Sequence, residues 1–190
     1  MLTAMGGPGG TSLYLDDVRD LSVEVDGRLG VVRAQRWINT DELSDVLKAY
    51  TLDRLLITGS TGRELAGDFE ADLALGQPQV LLAGFSETVP SSSLVQALGM
   101  ALVQGEVRDA VWGIAGRVGQ ILINGHAARW DLIVGGALQM AVVMGPLMNV
   151  QMMVGGLLGT LRSGGWFNTT LEAGQANSLQ VLGHMGNSSV

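Results

Sequence analysis

Two histidines, His126 and His184, are the only side chains in this chain whose ordinary pKa lies near neutrality, because cysteine is absent. His126 follows Asn124-Gly125, a dipeptide that favours a tight turn, so it reads as a solvated turn residue. Asp131, five positions on along the same expected strand, points to the opposite face and is not a local partner for it. His184 lies in a tail of Gly, Asn and Ser and carries no catalytic assignment. Gly84-Phe85-Ser86-Glu87-Thr88 lacks the second glycine of a nucleophile elbow and reads as a strand exit before Pro90.

The glycine-rich segments are equally sparse in chemistry. Gly113-Ile114-Ala115-Gly116-Arg117-Val118-Gly119 has the wrong spacing for a dinucleotide fingerprint and precedes a strand. Gly59-Ser60-Thr61-Gly62 offers backbone N–H groups but reads as a plain turn. The sole lysine is Lys48, so no Walker loop is present. Asn168-Thr169-Thr170 and Asn187-Ser188-Ser189 match the glycosylation sequon, which a chain with no evident leader uses only by chance.

Carboxylates give the one ordered pattern. Asp68, Glu70 and Asp72 alternate with Phe69, Ala71 and Leu73, so on a strand they form an acidic face. Asp16, Asp17 and Asp20 make a second cluster. Neither has the spacing of an EF-hand, and no metal, cofactor or catalytic residue is assigned. A solvated strand face is the plain reading. In a ring or tube, a repeated acidic face also makes a negative lumen that lets nucleic acid slide without sticking.

Composition narrows the function classes. The chain has 190 residues, 47% of them apolar and 15% charged, with a net charge of −7. Absence of cysteine excludes disulfide scaffolds and thiolate metal sites. The acidic balance argues against sequence-specific nucleic-acid binding. Residues 1–75 hold thirteen acids and seven bases, whereas residues 76–190 hold five and four. The 28 glycines, about twice average usage, show no self-similar period, so a repeat array is not expected.

Local patterning predicts an α+β fold. Leu21–Val25, Asp26-Gly27 and the stretch from Arg28 read as an N-terminal β-hairpin. Leu43, Val46, Leu47 and Tyr50 recur at helical spacing. Leu55–Ile57 and Gln79–Phe85 read as strands, and a central helix is expected from the serines at 91–93 to Gly105. Val118–Ile123, His126–Val134 and Ala137–Met144, joined by Asn124-Gly125 and Gly135-Gly136, read as a three-stranded meander. Pro146 then opens an apolar closing helix. The expected division is an arm over 1–10, one α+β domain over 11–162, and a tail or assembly extension over 163–190.

From Ile133 to Leu161 no residue is charged. Met140, Met144, Met148 and Met152 are spaced by four, and Met153, Leu157 and Leu158 extend the apolar set. These seven are the expected contacts with another subunit or with lipid. As one helix the segment is long enough to span a bilayer, but Gly135-Gly136 and Gly145-Pro146 interrupt it. The leading expectation is a non-catalytic structural protein that self-assembles into a symmetric homo-oligomer, as in a virion or phage tail. Its expected partners are copies of itself. A membrane-inserting or pore-forming protein using 133–161 is the first alternative, and a small regulatory dimerisation module the second. No signal peptide is evident in the first ten residues, which predicts synthesis in the cytoplasm.

Overall fold

A computed structural model describes residues 10–41, 43–76 and 95–190, and the backbone alone over 2–5. The strands are β1 (Leu2–Met5), β2 (Thr11–Tyr14), β3 (Asp17–Arg19), β4 (Val23–Ala34), β5 (Arg36–Ile38), β6 (Val46–Ile57), β7 (Asp72–Leu75), β8 (Gln96–Val103), β9 (Val107–Ile114), β10 (Arg117–Ile123), β11 (Ala127–Val134), β12 (Leu138–Phe167), β13 (Thr170–Val181) and β14 (Met185–Gly186). Every ladder between them is parallel. Each strand pairs with segments one coil earlier and one coil later, which is the connectivity of a β-solenoid.

The coil length is legible in the register. Val107 pairs with Ala127, Ala127 with Leu147, and Val118 with Leu138, a spacing of 20 residues. Earlier coils are longer and uneven: Val23 pairs with Leu47, Leu47 with Leu73, and Leu73 with Trp112. Drawn straight, the 30 residues of β12 would reach roughly 100 Å; instead they wind around the rod.

Glycine makes two of the corners. Gly125 N–H donates to Gly105 O at 2.8 Å, and Gly145 N–H to Gly125 O at 2.9 Å. Gly136 and Gly156 repeat this at the second corner, donating to Gly116 O and Gly136 O, each at 3.1 Å. A Cβ at Gly145 would stand 2.8 Å from Gly125 O, so coils stack at this height only without a side chain there. In the later coils a third corner is a left-handed residue: Asp109, Arg129, Asn149, Asn168 and Asn187 have φ of 49, 50, 53, 49 and 50°. Each of these coils therefore has two long sides and a short one between the Gly105-type corner and the left-handed residue. The first long side stacks the later halves of β4 and β6, then β8, β10 and the start of β12; the second stacks the first halves of β4 and β6, then β7, β9, β11 and Val150–Val154 of β12.

Inward residues form columns about 4.8 Å apart per step. One column is Val23, Leu47, Leu73, Trp112, Leu132, Met152 and Leu171, all buried. Trp37, Phe69, Trp112 and Trp130 meet edge to face at centroid distances of 5.9, 5.8 and 5.1 Å. These contacts fill the rod's interior with rigid, well-packed area.

The α+β expectation is overturned. Among the described residues the only helical element is the 3-10 turn Thr61–Arg63. Asp26-Gly27 makes no hairpin: β4 runs through it and pairs in parallel with β6, with a register shift between Val25 and Arg28. The expected helix at 43–50 is strand from Val46, with Leu47 and Ala49 buried and Tyr50 exposed. The central helix is β8 from Gln96 onward; its expected start at 91–93, the strand at 79–85 and the Gly84–Thr88 segment lie outside the described residues. The meander's strands exist, but β10 and β11 are two sides of one coil, and the start of β12 stacks in parallel on β10 as the next coil. The closing helix, and with it any spanning helix over 133–161, is strand of β11 and β12. The missed period is the coil itself, marked by glycine at 105, 125 and 145 and at 116, 136 and 156.

Candidate functional site

Inward and outward positions alternate along each side, so the winding decides which expected contact residues reach the surface. Met152 and Leu158 are inside, at 2% and 1% exposure. Met140 and Met148 are half-buried, on the first long side and the short side. Met144, Met153 and Leu157 face outward at 59, 43 and 39%. On a helix the four-residue spacing would align these methionines; around a 20-residue coil it distributes them over different sides. Phe167, at 43%, joins the outward set and was not picked out by the spacing. Past Asp131 the only charged residues are Arg162 and Glu172.

The acidic trio sits outward of Phe69, Ala71 and Leu73, which are buried. Its carboxylates are tied to other coils. Asp68 Oδ1 accepts from the Glu106 N–H at 3.0 Å, and Asp72 Oδ1 from the Val111 N–H at 2.6 Å. Glu70 accepts from the Asn39 N–H at 3.3 Å and from Arg108 at 2.5 Å. Burial raises the Asp72 carboxyl above its ordinary value, with the Val111 N–H opposing. Burial likewise raises Asp131, opposed by the Gln151 N–H.

His126 Nδ1 lies 2.9 Å from Glu106 Oε1, at the corner beside Gly125, and Glu106 also faces Arg108 at 3.7 Å. Asp131 is elsewhere, on the second long side, as its parity requires. His184 is exposed, and its carbonyl accepts from the Trp166 N–H at 2.9 Å. No cluster of three potential metal ligands occurs among the described residues.

Charge pairing divides the arginines. Arg36 and Arg19 pair with Asp17, Arg28 with Asp53, Arg63 with Asp16, Arg108 with Glu70 and Arg129 with Asp109. The Arg36 guanidinium, bonded to Asp17, holds that carboxyl below its ordinary value, and Arg129 does the same to Asp109. Arg33, Arg54, Arg117 and Arg162 are exposed and make no ion pair among the described residues. All four stand on the first long side. Sequence reasoning passed over them because neighbours on this side are about 20 or more positions apart in the chain.

No protein-family profile, curated protein or solved structure matches this chain, so the functional reading rests on its own geometry.

Proposed function

We propose that this is a non-catalytic structural protein whose rod self-assembles into a symmetric homo-oligomer, the kind of rigid part a virion or phage tail uses. One observation carries the reading. The coils after Asp131 hold Met144, Met153, Leu157 and Phe167 outward while Arg162 and Glu172 are their only charges. Outward apolar side chains with so little charge between them favour a protein partner. A solenoid also presents its surface as stacked, flat sides that repeat every coil, a geometry suited to contact along its length. Sedimentation velocity over a hundredfold range of concentration tests the proposal. A discrete species larger than the monomer is expected. A monomer at every concentration overturns it.

A further inference from the structure

The four arginines without an ion pair among the described residues and the partly buried aspartates lie on adjoining sides of the rod, and their vertical spacings match. Arg54 pairs in register with Met100, and Met100 with Gln120 in the coil of Arg117, so Arg54 and Arg117 are two coils apart. Arg162 is two coils further on: Leu122, in the coil of Arg117, pairs with Val142, and Gly159 stacks on Gln139 in the next coil. On the second long side Asp72 accepts from Val111, which pairs with Asp131, and these acids are also two coils apart. Glu172 pairs with Met153, which pairs with Ile133 beside Asp131, and so continues the same interval. Both charge rows thus recur at about 9.6 Å.

Between the charges each side is apolar. Leu56, Leu102, Leu122 and Val142 form an outward column on the first side, by the register of β6, β8, β10 and β12. Val111, Ile133 and Met153 face outward on the second. We propose that the first long side docks on the second long side of a second copy, in a heterologous contact that sets the face bearing Arg54, Arg117 and Arg162 against the face bearing Asp72, Asp131 and Glu172. The two sides flank one glycine corner, so a copy can use both at once, and such a contact builds a ring where its rotation closes and a helical filament where it does not. Two first sides cannot meet face to face, because that would bring the guanidinium groups of both together.

The size is adequate. Six coils give a height of about 29 Å and seven residues a width of roughly 20 Å. That is about 600 Å² per copy at each contact, at the lower bound of specific interfaces. Desolvation also supports it. Asp72 and Asp131 have lost part of their water and are stabilised only by backbone N–H groups. A guanidinium from a neighbour supplies the missing cation.

This inference rests on the self-assembly reading, and native mass spectrometry with sedimentation separates the two. Arg117→Glu/Arg162→Glu, and separately Asp131→Lys/Glu172→Lys, are expected to weaken association at least tenfold. All four substitutions in one chain exchange the charges at two matching levels, Arg117 with Asp131 and Arg162 with Glu172, and are expected to restore assembly beyond two copies. Circular dichroism confirms folding, and Arg117→Gln/Arg162→Gln is the milder variant, expected to weaken association and reduce its dependence on salt. If the wild type assembles and the charge variants leave assembly unchanged, the docking mode is wrong and self-assembly stands. A two-fold dimer also overturns the docking mode. A wild-type monomer at all concentrations overturns both readings. So does a monomer that floats with vesicles of anionic phospholipid through its arginines, since lipid is then the occupant.

Discussion

The coils before Leu75 and those after Gln96 are one architecture held in two ways. In the earlier coils the register spacing drifts, and long charged side chains reach between coils: Lys48 to Glu24 at 2.6 Å, Arg28 to Asp53 at 2.7 Å, Arg36 to Asp17 at 2.9 Å. In the later coils the spacing settles at 20 residues and drifts only to 18 in β13. There, apart from the Arg129–Asp109 and His126–Glu106 pairs, the bonds between coils are short and neutral, such as Asn168 Nδ2 to Asn149 Oδ1 at 3.1 Å and Thr169 Oγ1 to Leu147 O at 3.2 Å. When coils have equal length, equivalent backbone atoms lie above one another, and an amide or a hydroxyl suffices. Unequal coils offset those atoms, and a side chain with reach must bridge them. Exposed ion pairs contribute little to stability, so in the earlier coils they select register while the buried columns supply the energy.

The two regions share one core, and the largest expected effect comes from cutting it where they join. Trp112 lies on that junction, paired with Leu73 and fully buried against Trp130 and Phe69. Trp112→Ala should cost about 3–5 kcal/mol and lower Tm by roughly 10 °C or more. If the regions unfold separately instead, calorimetry will show two transitions where the wild type shows one.

Equal spacing is next tested at glycine. A Cβ at Gly119 would collide with the carbonyl oxygen of Gly99 in the coil below. Gly119→Ala should therefore cost about 2–3 kcal/mol, since backbone must move. Gly174→Ala, whose nearest neighbour would stand at 3.6 Å, should be within about 0.5 kcal/mol of wild type. The left-handed corner gives a smaller effect. Asn149→Val, at a φ of 53°, should cost about 1–2 kcal/mol, because a β-branched residue is strained there. Asn149→Gly should lose only the bond to Asn168. Equal losses for valine and glycine would show that the amide, and not the conformation, holds the corner.

Much of the secondary structure after Val118 was legible, and the fold was not, for one physical reason. Alternation identifies a strand but is blind to its partner. Asn124-Gly125 and Gly135-Gly136 suit a reversing turn, and they suit equally a corner that continues forward into the next coil. The spacing of four among Met140, Met144, Met148 and Met152 is a helical signal but also an even number, compatible with strands. What distinguishes the cases is non-local: glycine at 105, 125 and 145, and Asp109, Arg129 and Asn149 at the same interval. That period is carried by conformation instead of residue identity, since aspartate, arginine and asparagine all occupy the left-handed corner. The alternation at 68–73 was legible because it is local. The arginine side was not, because its members are assembled only by winding.

The smallest predicted effect tests two carboxyls of the later coils against each other. Asp109 and Asp131 sit one coil apart, and their carboxyls shift in opposite directions: Arg129 lowers the first, and burial raises the second. For Asp131, both folded and unfolded chains are protonated below the ordinary value of 3.8, so ionisation costs nothing there. As the pH rises above 3.8 the unfolded chain ionises first, and the fold loses stability until Asp131 ionises too. Above that point the loss is constant. Asp131→Asn keeps an oxygen to accept the Gln151 N–H without the charge, and should raise Tm by about 1–3 °C at pH 7 and leave it unchanged at pH 3. For Asp109 the sign reverses. Its pair with Arg129 stabilises the fold above 3.8 and is lost as the pH falls through the lowered value, so Asp109→Asn should lower Tm slightly at pH 7. Both melts belong at protein concentrations low enough to keep the chain monomeric. In the assembly a neighbour's arginine would neutralise the burial penalty at Asp131, and the gain from Asp131→Asn should then become a loss.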